Sequence, residues 1–146
     1  MKNENYIRLQ FPSRSVNEGF ARVSVAAFAA QLDPTLEELE DIKTAVSEGV
    51  TNAIVHAYPN EIGKIFLRAV IREERVLEIQ IRDSGCGIPD VALAKEPLYT
   101  TGGEERSGMG FTIMESFMDG MSVRSKPGRG TTVVLRKKIL PRTGRR

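Results

Sequence analysis

Residues 35–58 read TLEELEDIKTAVSEGVTNAIVHAY. Thr35 and Glu38 have capping-box spacing, and Leu39, Ile42, Val46, Val50 and Ala53 recur at helical intervals. The spacing predicts one long helix ending near Ala57 or Tyr58, with an apolar stripe against a core. Glu48 and Asn52 stand four apart on it and project from one face, opposite that stripe. A carboxylate there can take a proton from an attacking hydroxyl. An amide oxygen one turn on can ligate magnesium, a hard cation that favours oxygen. The same spacing also fits a solvated helix face, so the pair needs support from elsewhere in the chain.

Outward from this helix the pattern alternates. Asn5–Phe11 alternates apolar with polar residues and predicts a strand, broken by Pro12-Ser13-Arg14-Ser15. Ser15 or Asn17 can cap a helix running to about Leu32, with Phe20, Val23, Ala27, Phe28 and Ala30 at helical spacing. After Pro59-Asn60-Glu61-Ile62-Gly63, Lys64–Glu73 and Val76–Arg82 predict a hairpin around Glu73-Glu74-Arg75. Residues 84–107 are rich in glycine and proline and read as a long loop, with one helical turn near Val91–Lys95. Helix returns over Gly108–Met118, and Ser122–Ser125 with Thr131–Leu140 predict a last hairpin. This order gives an α/β two-layer sandwich, an antiparallel-rich mixed sheet covered on one face by helices. Residues 1–140 are read as one domain and 141–146 as a basic, disordered tail.

Composition narrows the function classes. A chain of 146 residues suits one domain by the prior of roughly 100–200 residues each. It carries 21 Lys and Arg against 19 Asp and Glu, but six of the basic residues lie from Arg136 onward. The body is therefore mildly acidic with a basic end, and no basic face is visible in it, so no direct nucleic-acid contact is expected. Cys86 is the only cysteine, which forbids an internal disulfide and fits a reducing compartment. No apolar run follows the N-terminal lysine and none approaches the length of a spanning helix, so no signal peptide and no membrane contact are expected. A cytoplasmic location is the default.

Three further motifs carry chemistry. Asp83-Ser84-Gly85-Cys86-Gly87-Ile88-Pro89 closes a strand with a Gly-rich turn. Its glycines allow close approach of a ligand, and its carboxylate can accept from an exocyclic amine. Ser107-Gly108-Met109-Gly110 stands where a loop becomes a helix, a place where free N–H groups favour an anion. Gly130-Thr131-Thr132 opens the last strand. His56 has no second histidine and no cysteine pair to complete a zinc site. There is no GxxxxGK[ST] loop and no protein-kinase HRD or DFG set.

At these residues the chain resembles a known superfamily. Glu48-x-x-x-Asn52, Asp83-x-Gly85-x-Gly87, Gly108-x-Gly110 and Gly130-Thr131 look like the boxes of the ATPases that include gyrase B, the Hsp90 chaperone, sensor histidine kinases and MutL, whose fold is the Bergerat type. Longer blocks, among them Phe20–Val23, Gln31–Thr35, Val46–Glu48, Val50–Ile54, Arg82-Asp83 and Arg106–Glu115, resemble the anti-sigma F factors of spore-forming bacteria up to about Leu140. The resemblance implies an ATP-dependent serine-protein kinase that inhibits a sporulation sigma factor and phosphorylates an anti-anti-sigma protein. It implies Glu48 as base, Asn52 as Mg2+ ligand, and Asp83 on adenine with Thr131 or Thr132 helping through water. Gly85, Gly87, Gly108 and Gly110 would shape the ATP/ADP pocket together with Ser107 and Met109. Thr100, Thr101 and Arg106 would belong to a phosphate-contacting lid, Arg22 would meet the partners, and the chain would work as a homodimer. The segment Thr100–Arg106 is shorter and richer in glycine than the usual lid, Gly49 stands in place of alanine, and Ala57 in place of glycine. Alternatives are a stress-response anti-sigma kinase and a non-catalytic, ATP-dependent sigma-binding module.

Overall fold

The computed structural model describes residues 3–88, 91 and 110–141. Its order is β1 (Asn3–Pro12), α1 (Val16–Ala29), α2 (Leu36–Asn52), β2 (Lys64–Arg72), β3 (Val76–Asp83), α3 (Gly110–Phe117), β4 (Gly120–Lys126) and β5 (Gly130–Lys138). The strands form one sheet in the order β1-β2-β3-β5-β4. Every ladder is antiparallel, the limiting case of the antiparallel-rich sheet expected. Alternation sends Ile65, Leu67, Leu77, Ile79, Ile81, Val133 and Leu135 to one side, where they form the core with the helices. No helix among the described residues is long and apolar enough to cross a membrane.

The predicted capping box starts α2. Thr35 Oγ1 accepts from Glu38 N at 3.0 Å, and Glu38 Oε1 accepts from Thr35 N at 2.8 Å. Helix α2 packs between α1 and α3, and Ile42, Ala45, Val46 and Val50 are fully buried beneath it. Helix α1 corrects an expectation. Its buried face is Ala21, Val25, Phe28 and Ala29, while Val16, Phe20 and Val23 are 79%, 65% and 56% exposed. Both stripes have helical spacing. The inner one wins because its small residues let α1 lie close to α2 and the sheet.

The uncovered face of the sheet corrects another. Arg8 stands opposite Arg68, and Arg82 opposite both Phe66 and Thr132; Arg72, Arg124 and Arg136 share that face. The folded body therefore has a basic side that the linear sequence hid. Arg136, Lys137 and Lys138 belong to β5 rather than to a frayed end, with Arg136 and Lys138 on the uncovered face and Lys137 on the helix side. Lys137 reaches back between the layers, donating to Phe117 O at 2.9 Å and lying 3.5 Å from Asp41 Oδ2.

Glu78 holds that basic side together. Its side chain is 7% exposed, with Arg72 at 2.9 Å and Arg136 at 3.1 Å. Burial by itself pushes the Glu78 carboxyl up, but hydrogen bonds from Arg72, Gln80 and Arg136 outweigh it and hold it at about 2. A depressed carboxyl adds stability above its unfolded value of about 4.3, and that stability is lost as pH falls toward the folded one. Glu78→Gln is expected to cost about 2 kcal/mol at neutral pH by urea unfolding. The variant should also flatten the stability loss of the parent between about pH 4.3 and 2; an unchanged acid limb would contradict this account.

Candidate functional site

The end of α2 is where the predicted motifs meet. The helix does not stop at Asn52 but widens into a π turn over Ala53–Ala57, a feature frequent at functional sites. The turn offers carbonyls to the strand-end motif: Cys86 N donates to Ala57 O at 3.0 Å, and the Cys86 thiol to His56 O at 3.0 Å. Gly85 is required by this contact. A Cβ there would lie 2.3 Å from Ala57 O and 2.6 Å from Ala57 Cβ. Gly87, at φ 79°, carries the chain on against the β4–β5 turn.

Asp83 ends β3 and is buried. Its Oδ1 accepts from Gly85 N at 2.9 Å and Thr131 N at 3.2 Å. Burial pushes the carboxyl up, and the two N–H bonds and the Arg82 charge only partly offset it, so it stays above the usual range. Both bonds fall on one oxygen, which leaves Oδ2 to take a donor. Thr131 Oγ1 lies 2.8 Å from Ser125 Oγ, which accepts from Ile88 N at 2.7 Å. Thr132 pairs with Arg82 and Arg124 and alternates to the uncovered face, away from Asp83. Of the two threonines expected to help Asp83, Thr131 is the one beside it, while Thr132 lies on the opposite face.

Asn52 meets the second glycine motif. A Cβ on Gly110, at the start of α3, would lie 2.7 Å from Asn52 Nδ2 and 2.9 Å from Oδ1. The amide is thus pressed against the start of a helix whose free N–H groups suit an anion. Among the described residues no group of three or more His, Cys, Asp and Glu could hold a metal. Asn52 suits magnesium nonetheless, because that ion commonly takes one or two protein oxygens and completes its shell with phosphates and water. Thr100, Thr101, Arg106, Ser107, Gly108 and Met109 lie outside the described residues.

One turn before Asn52, Glu48 lines a cleft of about 250 Å³ at α1 and α2, with Arg22, Glu40, Lys43, Thr44 and Ser47. Arg22 is braced by Glu18 at 2.9 Å. Sequence reasoning missed Tyr58 altogether. Its buried hydroxyl donates to Lys64 O at 2.8 Å and accepts from Ser84 N at 2.8 Å, tying the π turn to β2 and to the Asp83 motif. An aromatic at a helix end is the only sign of it in the sequence.

Residues 11–137 match the model of the histidine kinase-like ATPase domain. The chain is 58% identical to the anti-sigma F factor of Geobacillus kaustophilus over 140 residues, 95% of this chain and 94% of that one. It is 55% identical to the anti-sigma F factor of Clostridium acetobutylicum over 137 residues, 93% and 95% of the two chains. Among solved structures, the RsbU and RsbW domains of a Mycobacterium tuberculosis protein superpose with a TM-score of 0.68 at 18% identity, over 92% of this chain and 32% of that one. The histidine kinase domain of a blue-light activated kinase from Erythrobacter litoralis gives 0.59 at 22% identity, over 84% and 61%. At these identities the two structures speak for the fold alone.

The contact of Gly110 with Asn52 is testable without a ligand. Gly110→Ala is expected to lose about 1–3 kcal/mol in urea unfolding despite the better helix propensity of alanine. Most of that loss should vanish when Asn52→Ala is added, because the two changes share one contact. Strictly additive losses would refute the contact.

Proposed function

The chain belongs to the anti-sigma F factor family, on a histidine kinase-like ATPase domain, and from that premise we propose that it binds and inhibits a sporulation sigma factor and, with Mg-ATP, phosphorylates a serine of an anti-anti-sigma protein. The observation that carries the reading is the junction at the end of α2. There the Asp83 turn is fastened to the helix end by backbone contacts and the Asn52 amide lies against Gly110 at the start of α3, with Glu48 one turn earlier on the same helix. Phosphoryl transfer asks a protein mainly for positioning and charge neutralisation, and these groups are of the required kinds.

Bound Mg-ATP would supply the transferable phosphoryl group and leave as ADP. Glu48 accepts the proton that departs from the attacking serine hydroxyl. Asn52 would hold the magnesium through its amide oxygen. Asp83 accepts the hydrogen bond of the adenine amine, and Thr131 stands beside it for a bridging water. By the family resemblance, Gly108 and Gly110 would shape the phosphate site with Ser107 and Met109, and Thr100, Thr101 and Arg106 would contact the phosphates. Arg22 meets the sigma factor and the anti-anti-sigma protein. It stands on α1 beside the exposed stripe of Val16, Phe20 and Val23, and an apolar patch rimmed by charge is the usual mark of a protein contact. That stripe supports a homodimer on one sigma factor.

Glu48→Gln is expected to bind ATP and sigma factor as the parent does but to transfer phosphate about 10²–10⁴-fold more slowly. Phosphoserine formation on the folded acceptor measures it, and transfer at the parental rate would remove Glu48 as base. Asp83→Asn tests the base pocket with the opposite signature. Because the Asp83 carboxyl is raised, ionised Asp83 subtracts from stability at neutral pH, and a neutral amide relieves that cost. The variant should melt no lower than the parent while ATP affinity falls about 10–100-fold by calorimetric titration, the loss expected for a hydrogen bond to a charged group. Parental affinity would refute the adenine assignment.

A further inference from the structure

We propose that the cleft between α1 and α2 seats the polypeptide of the phospho-acceptor, and that Lys43 selects the acceptor by an acidic side chain about three residues from the phosphorylated serine. The inference rests on the kinase reading above and adds to it the route and the chemistry of substrate recognition. Glu48 and Lys43 line the same cleft, so a hydroxyl delivered to Glu48 brings its flanking residues past Lys43.

Helix geometry sets the spacing. Lys43 and Glu48 are five residues apart on α2, which is roughly 7.5 Å along the axis and about 9 Å between Cα atoms once the turn of the helix is included. An extended chain advances about 3.3 Å per residue. A residue lying at Lys43 is therefore about three positions from one lying at Glu48.

The chemistry of the cleft suits an acidic neighbour. Arg22 and Lys43 are its two cations, and each is engaged by a residue of its own helix: Glu18 at 2.9 Å and Glu40 at 3.2 Å. The two pairs differ in what it takes to open them. Lys43 is 28% exposed, but Glu40 is 68% exposed, and a pair with one partner in water contributes about 0–1 kcal/mol. Transferring the Lys43 ammonium from Glu40 to an acceptor carboxylate in a partly closed cleft is therefore inexpensive, and the new pair is better shielded than the old. Thr44 and Ser47 lie between Lys43 and Glu48 on α2, with hydroxyls that make no hydrogen bond to any described residue. They can bond the backbone of an extended segment. Glu40 acts as a competitor for Lys43, which gives the proposal two opposite signs to test.

The test uses the full chain, Mg-ATP and the folded anti-anti-sigma acceptor, with each acidic residue within four positions of its phosphorylated serine changed to lysine in turn. Lys43→Glu should raise the acceptor KM about tenfold while kcat and ATP affinity hold, and Glu40→Ala should lower KM about two- to fivefold. One acceptor variant, with its reversed charge about three positions from the serine, should restore the KM of Lys43→Glu. An unchanged KM in Lys43→Glu would overturn the inference. So would a raised KM that no charge reversal in the acceptor restores, or one that comes with an equal loss of ATP affinity. If the parent chain phosphorylates no acceptor at all, the kinase reading falls and this inference with it.

Discussion

The approach of Gly85 to Ala57 is the constraint on which the site depends. Two backbones come so near that no Cβ fits on Gly85, and the Cys86 amide closes the contact onto the Ala57 carbonyl. That carbonyl is available because Ala57 is the last residue of the π turn that ends α2, and the final carbonyls of a helix have no intrahelical donor. The helix end is thereby fixed relative to a strand-borne carboxylate by a direct backbone contact, which the Cys86 thiol on His56 O supports. Tyr58 repeats the fastening from below by joining β2 to Ser84. Asp83 serves the turn with one oxygen only: its Oδ1 accepts from Gly85 N and Thr131 N.

The two faces of the sheet divide the electrostatics. On the helix side, α2 brings Glu37, Glu38, Glu40, Asp41 and Glu48 into one element. On the uncovered side, arginines from all five strands share a surface with Glu78 as the acid that pairs with two of them. Like charges in direct register, as at Arg8 and Arg68, cost stability in a sheet. Tyr6 lies within reach of both guanidinium groups, 5.4 and 5.6 Å from its ring centre, and cation–π attraction offsets part of that cost. Charge separation of this kind arises from strand alternation, which sorts consecutive residues to opposite sides, so it is invisible in a count along the chain.

Much of the fold was legible because it rests on period and punctuation. The capping box at Thr35 and Glu38, the alternation of β2 and β3 and the order of elements all follow from local rules. What local rules cannot do is choose between two stripes of equal period. Of the expected stripe on helix α1 only Phe28 is buried, while Phe20, Val23 and Ala27 face out and Ala21, Val25 and Ala29 take the core, because close packing of small residues, a tertiary term, decided it. The candidate site was legible as residue types and illegible as contacts. Gly110 and Asn52 were both singled out, yet nothing in their spacing says that they touch. Thr131 and Thr132 were inseparable until the register of β5 on β3 put one on each side. Tyr58 was invisible because its role is to join three backbone segments that are distant in sequence.

Helix α2 is then more than a scaffold for two residues. One rigid element carries Asn52 at its end, Glu48 a turn earlier, and Lys43 and Glu40 a turn or two before that. The end packs on the strand motif and on the start of α3, while the outward side lines the cleft shared with Arg22. A close-packed helix transmits position rather than absorbing it, so a polypeptide seated along the cleft is registered against the pocket by the rise of the helix itself. Under the substrate route proposed above, recognition of the partner and placement of its hydroxyl become one geometric event.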